Sequence, residues 1–305
     1  MVYFSLTGST RKVAQAIQAG MQEVLGSCDI AKLKDVNAQD LADYDLIGLG
    51  GPVWRLGVPP NVLAFINDLT SMKGKHCFPF CTHGALPVGF MKIITPRLLR
   101  KDLTIIGYKD WYGSCFLQHI PKPYLTDGHP DEIDLKEAED FGREMAERSR
   151  RIYSGETNLI PELPEGKEVD LLWQTEPFPS AEITRERRTL QQQRNINMEK
   201  CKYPECTLCV DNCPMNSIDF SESPPVFRSS CYAEFFCEAI CPEGAIEIDF
   251  APLCVVHDIP VKGRFVGLLE EAEAKGTFRR LVPVEEVGWN THFYEITEHP
   301  RLIPE

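Results

Sequence analysis

The chain has 305 residues, a net charge of −13, 43% hydrophobic and 25% charged residues, enough for two soluble domains and a small third one. The acidity argues against a nucleic-acid partner and suits docking onto basic protein patches, although solubility alone accounts for most of it. No uncharged apolar run is long enough to cross a bilayer and no signal peptide opens the chain. Twelve cysteines, clustered at metal-ligand spacing in so large a chain, fit a reducing, anaerobic cytoplasm better than a secreted disulfide scaffold.

Strand and helix alternate through the first half. Met1–Ser5 reads as a short apolar strand, so short that the natural chain is expected to begin upstream or the sheet edge to be trimmed. Thr10–Leu25 reads as a helix, with Val13, Ile17, Met21 and Val24 on one face and Gly26 placed to end it. Further strands are predicted at Asp29–Lys34, Asp45–Leu49, His76–Cys81 and Thr104–Lys109, and helices at Pro60–Leu69, Val88–Arg100 and Ile133–Tyr153. This alternation with short connections implies an α/β fold, a doubly wound parallel sheet covered on both faces, over residues 1–155. Periodicity fails over 156–194, where Pro161, Pro164, Pro177 and Pro179 punctuate a stretch rich in Glu, Arg and Gln, read as a linker packed across the first domain. A cysteine-rich region follows at 195–250, then a C-terminal extension at 251–305 with a predicted helix at Val266–Lys275 and the aromatics Trp289, Phe293 and Tyr294.

Three loops carry the chemistry of the first half. Phe4-Ser5-Leu6-Thr7-Gly8-Ser9-Thr10 joins the first strand to the first helix. Its small hydroxyl residues and glycine let the backbone curl around a phosphate at a helix N-terminus, although such clusters also merely cap helices. The third strand runs into Gly50-Gly51-Pro52-Val53-Trp54 and the fourth into Cys81-Thr82-His83-Gly84-Ala85, each before a helix. All three loops should emerge at the carboxyl edge of one sheet, beside the switch point where doubly wound folds bind ligands. Together they resemble flavodoxin. That resemblance covers about half the chain and implies FMN, with Ser5, Thr7, Gly8, Ser9 and Thr10 around its phosphate. Gly51, Pro52, Val53 and Trp54 would line the isoalloxazine, Trp54 by stacking. The backbone of Thr82, His83, Gly84 and Ala85 would contact the ring and ribityl chain. Many flavodoxins carry an aromatic in the third loop; here only His83 is nearby, as a donor to reduced flavin or substrate or as a plain loop histidine. The segment Trp111–Pro130 lengthens the next connection and reads as a lid or partner surface.

In the cysteine-rich region, Cys201-x4-Cys206-x2-Cys209-x3-Cys213-Pro214 is echoed by Cys231-x5-Cys237-x3-Cys241-Pro242. Both runs resemble those of two-cluster bacterial ferredoxins, a small α+β fold in which the cysteine before proline serves the other cluster. The resemblance implies a [4Fe–4S] site from Cys201, Cys206, Cys209 and Cys241, although Tyr203 holds the usual first position and Cys201 sits two residues earlier. It leaves Cys213, Cys231 and Cys237 for a second site, where Glu234 stands in place of the second cysteine. Glu234 could ligate iron, the site could hold [3Fe–4S], Cys254 could be recruited, or the site could be lost. Three retained thiols favour a second cubane with carboxylate or exchangeable ligation.

The whole resembles flavodoxin–ferredoxin fusion proteins. This implies electron traffic between FMN and the clusters to or from a redox partner protein, with potentials tuned by charge, hydrogen bonds and exposure. The alternative is a reductase acting directly on a small substrate, at the flavin with His83 as proton donor or at the incompletely ligated cluster.

Overall fold

The computed structural model describes residues 1–54, 57–87, 89–115, 121–163, 194–250, 260–288 and 302, with 260–264 described by backbone alone. The predicted alternation gives β1 (Val2–Tyr3), α1 (Ser9–Leu25), β2 (Ala31–Lys32), β3 (Leu46–Pro52), α2 (Pro60–Asp68), β4 (His76–His83), α3 (Phe90–Leu99), β5 (Thr104–Ile105), β6 (Lys109–Tyr112) and α4 (Glu132–Tyr153). The strands pair in parallel in the order β2-β1-β3-β4-β5, with β6 also on β4. Connections reverse direction between β1 and β3, the switch point of a flavodoxin-like doubly wound sheet.

Alternation along the strands divides the core into two layers. Val2, Leu49, Cys77 and Cys81 face one cluster with Val62, Ile66, Ile94 and Leu98. Tyr3, Phe78 and Phe80 face the other, with Val13, Ile17, Phe141 and Met145. On that second face α1 and α4 pack backbone against backbone: a Cβ on Gly20 would stand 1.9 Å from the Glu139 carbonyl oxygen. The Asp131 side chain caps α4, accepting from the Ile133 and Asp134 amides at 3.0 Å each.

Two expectations change. The strand expected at Thr104–Lys109 is interrupted. Cys77 pairs with Ile105 but Phe80 with Lys109, so residues 106–108 carry one extra residue, a bulge, and pairing continues to His83↔Tyr112. The bulge turns Trp111 into the core, 3% exposed. The stretch from Trp111 is therefore no lid over its described parts. Thr126 Oγ1 donates to the Gly113 carbonyl at 2.8 Å and the Ser114 amide to the His129 carbonyl at 3.1 Å, because apolar Trp111 and Leu125 bury there. The opening strand is shorter than the expected Met1–Ser5, two residues at Val2–Tyr3.

The chain divides into two units. The first comprises Met1–Cys115, Leu125–Leu171 and Leu268–Pro283; the second comprises Phe116–Tyr124, Leu172–Gly267 and Val284–Glu305. The stretch expected as one C-terminal extension is thus split, and Phe278, 3% exposed, packs its ring 4.8 Å from Tyr112. Helix α7 (Pro260–Ala274) begins earlier than expected. Within the second unit, β7 (Arg194–Ile196) pairs antiparallel with β10 (Ile246–Ile248), and β8 (Ile218–Asp219) with β9 (Val226–Phe227). Two single-turn helices, α5 (Leu208–Asp211) and α6 (Phe236–Ala239), complete it. Most of the expected linker, Cys254, Trp289, Phe293 and Tyr294 lie outside the described residues.

Candidate functional site

The first site is the carboxyl edge of β1, β3 and β4. Gly8 precedes α1 with a φ of 93°, a left-handed conformation that glycine adopts without strain, and no side chain caps the helix. The first-turn amides of a 17-residue helix, with no acidic side chain in that turn, are suited to an anion such as a phosphate. Ser5 holds the loop by accepting from the Gly8 amide at 3.2 Å. Thr7 is exposed and Ser9 half-buried, whereas Thr10 is buried and its hydroxyl shares a 2.7 Å hydrogen bond with Thr82. Of the residues expected around a phosphate, Thr10 therefore already spends one hydroxyl bond on the sheet.

The other loops are tied to the same edge. The Phe4 amide donates to the Gly50 carbonyl at 2.9 Å and the Val53 amide to the Thr82 carbonyl at 2.8 Å. Gly51 is buried; Pro52, Val53 and Trp54 are half-buried. The Trp54 backbone exchanges two hydrogen bonds with Gly57, and its indole stands edge-on to Phe4, ring centroids 5.1 Å apart. Ala85 is buried, and Gly84 lies so close to Cys115 that a Cβ would meet it at 2.5 Å. His83 ends β4, 5% exposed: Nε2 is 2.9 Å from Asp110 Oδ2, while Nδ1 is buried with no hydrogen-bond partner among the described residues. Its ring packs at 4.7 Å against Tyr112, whose hydroxyl is pushed up to about 12 by burial and by Asp110. An unpaired buried ring nitrogen is costly.

The second site lies in the cysteine-rich unit. Cys201, Cys206, Cys209 and Cys241, from two distant runs, line one cavity with Ile196, Leu208 and Ile246. Burial pushes the Cys209 thiol up to about 12, and the proximity of Cys241, Cys201 and Cys206 adds to this. Four converging sulfurs in an apolar wall have no structural use as thiols, whereas iron would displace their protons. Cys213, Cys231 and Cys237 form a second nest, each about nine-tenths buried. Cys237 is raised well above the ordinary thiol range by burial, then by Glu234, Cys231 and Cys213, with Arg194 opposing. Cys213 is raised by burial against the pull of the Ser217 and Met215 amides, with Glu234 and Cys231 adding to the rise. Glu234 thus belongs electrostatically with Cys237 and Cys213.

The two runs repeat one pattern. Cys213 Sγ accepts from the Ser217 amide at 3.3 Å and Cys241 Sγ from the Ala245 amide at 3.2 Å, each before a strand. Helices α5 and α6 sit the same distance before these cysteines. Tyr203 in one run occupies the place of Cys231 in the other and stacks on Phe220 at 4.1 Å, outside any thiol role. Sequence reasoning missed Arg194, placed in the linker: it begins β7 with Arg194 and Ile196 buried and Asn195 exposed, but Arg-Asn-Ile shows no apolar alternation that would have marked it.

The sheet order and ligand-binding edge define a flavodoxin-like α/β protein. The family described as flavodoxin domain matches residues 1–86, so the chain carries a flavodoxin domain at its N-terminus. A probable flavodoxin of Bacillus subtilis is 26% identical over 153 residues, spanning 49% of this chain and 94% of the relative. A 56-residue segment, 18% of this chain, is related to an uncharacterized ferredoxin of Methanocaldococcus jannaschii, 34% identical over 90% of that protein. Among solved structures, a flavodoxin from the domain Archaea aligns over 49% of this chain and 96% of its own, at 19% identity and a TM-score of 0.40. Among the described residues no helix is long and apolar enough to cross a membrane.

Proposed function

We propose that this chain is an electron-transfer protein of the reducing, anaerobic cytoplasm that holds FMN at the β1–β3–β4 edge and an iron–sulfur cluster in each thiol nest, and exchanges electrons with a partner enzyme. The observation that carries the reading is the convergence of Cys201, Cys206, Cys209 and Cys241 on one cavity in a chain with a flavodoxin domain. FMN takes electrons in pairs or singly and each cluster takes one at a time, so together they convert between the two currencies. The chain's own groups bind: the uncapped amides of α1 suit the phosphate, Trp54 and the Gly51–Val53 backbone suit the ring edge, and Ile196, Leu208 and Ile246 give the first nest an apolar wall. The net charge of −13 favours a partner with a basic docking face.

Anaerobic reconstitution followed by flavin, iron and sulfide quantification tests the reading. The expected result is one FMN with iron and sulfide for two clusters; a chain that takes up neither flavin nor iron overturns it. The buried, unpaired Nδ1 of His83 favours a second reading, a reductase that protonates a small substrate at the flavin edge. Substrate-dependent reoxidation of the reduced protein without any partner, abolished in His83→Gln, would select it.

A further inference from the structure

We propose that Arg194 makes the second nest the stronger electron acceptor of the two, setting the direction in which an electron settles. The inference rests on the reading that both nests hold iron–sulfur clusters. Arg194 is 9% exposed at the start of β7, and its Nη1 donates to Cys231 Sγ at 2.5 Å. The guanidinium lies 5.3 Å from the ring centre of Phe227 and 5.5 Å from that of Phe235. It cannot shed its proton, so burial beside sulfur asks for a sulfur that stays anionic, and iron ligation supplies that.

Two buried charges have no counterpart in the first run: Arg194, and Glu238, 3% exposed, where the first run has Val210. Glu238 opposes an added electron, but of the two Arg194 is the one bonded to a ligand sulfur. If Glu234 ligates iron, a carboxylate replaces a thiolate charge for charge, and the ligand sets carry the same formal charge. The backbone amide on Cys213 has its counterpart on Cys241. The single cationic side chain lining the first cavity among the described residues, Lys202, is exposed, and Glu243 of the same lining offsets it. Reduction adds one electron, and one negative charge, to a cluster without making or breaking a bond; the electron comes from reduced FMN, or from dithionite in a titration. A buried cation in contact with a ligand sulfur lowers the energy of that added charge, and its N–H···S bond draws density from the sulfur. Deeper burial of Cys213, Cys231 and Cys237 works the other way, but the cation touches the ligand shell while the solvent boundary is farther off.

The test is an EPR-monitored redox titration of the full reconstituted chain, with Cys209→Ala to assign the signals, and of Arg194→Gln and Arg194→Lys. In the native chain the second cluster is expected to reduce at the higher potential. In Arg194→Gln the ratio of reduced to oxidised second cluster at a fixed potential should fall about tenfold, about 59 mV for a one-electron couple. Arg194→Lys should fall less, and the first cluster should not move. Two loaded clusters with the second at or below the first in the native chain overturn the inference without recourse to a variant, as does an unmoved second cluster in Arg194→Gln. A native chain that takes up no iron overturns the underlying reading instead.

Discussion

The hydroxyls of Thr10 and Thr82 meet at 2.7 Å, both side chains buried, so the first turn of α1 and the end of β4 share one hydrogen bond. It fixes the first and third loops of the carboxyl edge to each other before any ligand arrives. Removing one partner strands the other in an apolar setting, at a cost of about 1–3 kcal/mol. Thr10→Val and Thr82→Val should each lose about that much in urea denaturation. The double variant should lose less than their sum, because neither hydroxyl is then left alone. Both single variants should also bind FMN more weakly, measured by flavin fluorescence.

Glu234 occupies the place of a cysteine in a nest that is otherwise thiol. If it ligates iron, Glu234→Cys should keep full iron content with an altered EPR spectrum, and Glu234→Ala should lose one iron from the second cluster. Unchanged spectra and iron content in both variants would remove the carboxylate from the ligand set.

His129 is held between two acceptors, Asp134 Oδ2 at 2.5 Å from Nδ1 and the Arg279 carbonyl at 2.7 Å from Nε2. Both ring nitrogens must donate, so the imidazole is charged. Burial opposes that charge, but the bonds to Asp134 and the Arg279 carbonyl outweigh it and raise the pKa. A raised native pKa means the contribution is complete below the unfolded value of about 6.5 and is lost as pH rises through the native one. Asp131 works at the other end of the scale: the Arg279 guanidinium, bonded at 2.5 and 2.7 Å, holds its carboxyl well below the usual range. Its contribution is present above the ordinary carboxylate pKa and is lost as pH falls through the native one. Amide exchange around Phe278 should therefore quicken as pH rises through the native His129 pKa, after correction for intrinsic rates, and His129→Gln should flatten that part of the profile.

At Gly20 a side chain has no room, since its Cβ would stand 1.9 Å from the Glu139 carbonyl. Overpacking of this kind costs about 1–3 kcal/mol. Gly20→Ala should shift the urea midpoint downward, with little change in slope if the unfolded state is unaffected.

Much of the sheet was legible because its period was. Val13, Ile17 and Met21 announce α1, and the alternation of Cys77, Phe78, Phe80 and Cys81 between two cores follows from a parallel strand buried on both faces. The bulge at 106–108 was not, since it depends on how Trp111 fits between Phe80 and Phe141, 6.5 and 5.6 Å away. The resemblance to ferredoxins grouped Cys241 with Cys201, Cys206 and Cys209, and all four line one cavity. Arg194 and Arg279 were illegible for one shared reason: each acts on residues far along the chain, Cys231 in one case and Asp131 with Asp134 in the other. No local period encodes such a pairing.

The salt link from Arg279 has a practical corollary for anyone who trims this gene. Cutting after residue 155, where the helical pattern stops, discards the guanidinium that pairs with Asp131 and Asp134 and the carbonyl that accepts the hydrogen bond from His129 Nε2. The shortened product would keep two neighbouring carboxylates at the mouth of α4 with His129 alone to balance them, and Asp131 without its guanidinium. A faithful excision must therefore carry a distant strip of the C-terminal sequence with it, supplied in trans as a peptide or spliced on by a short tether.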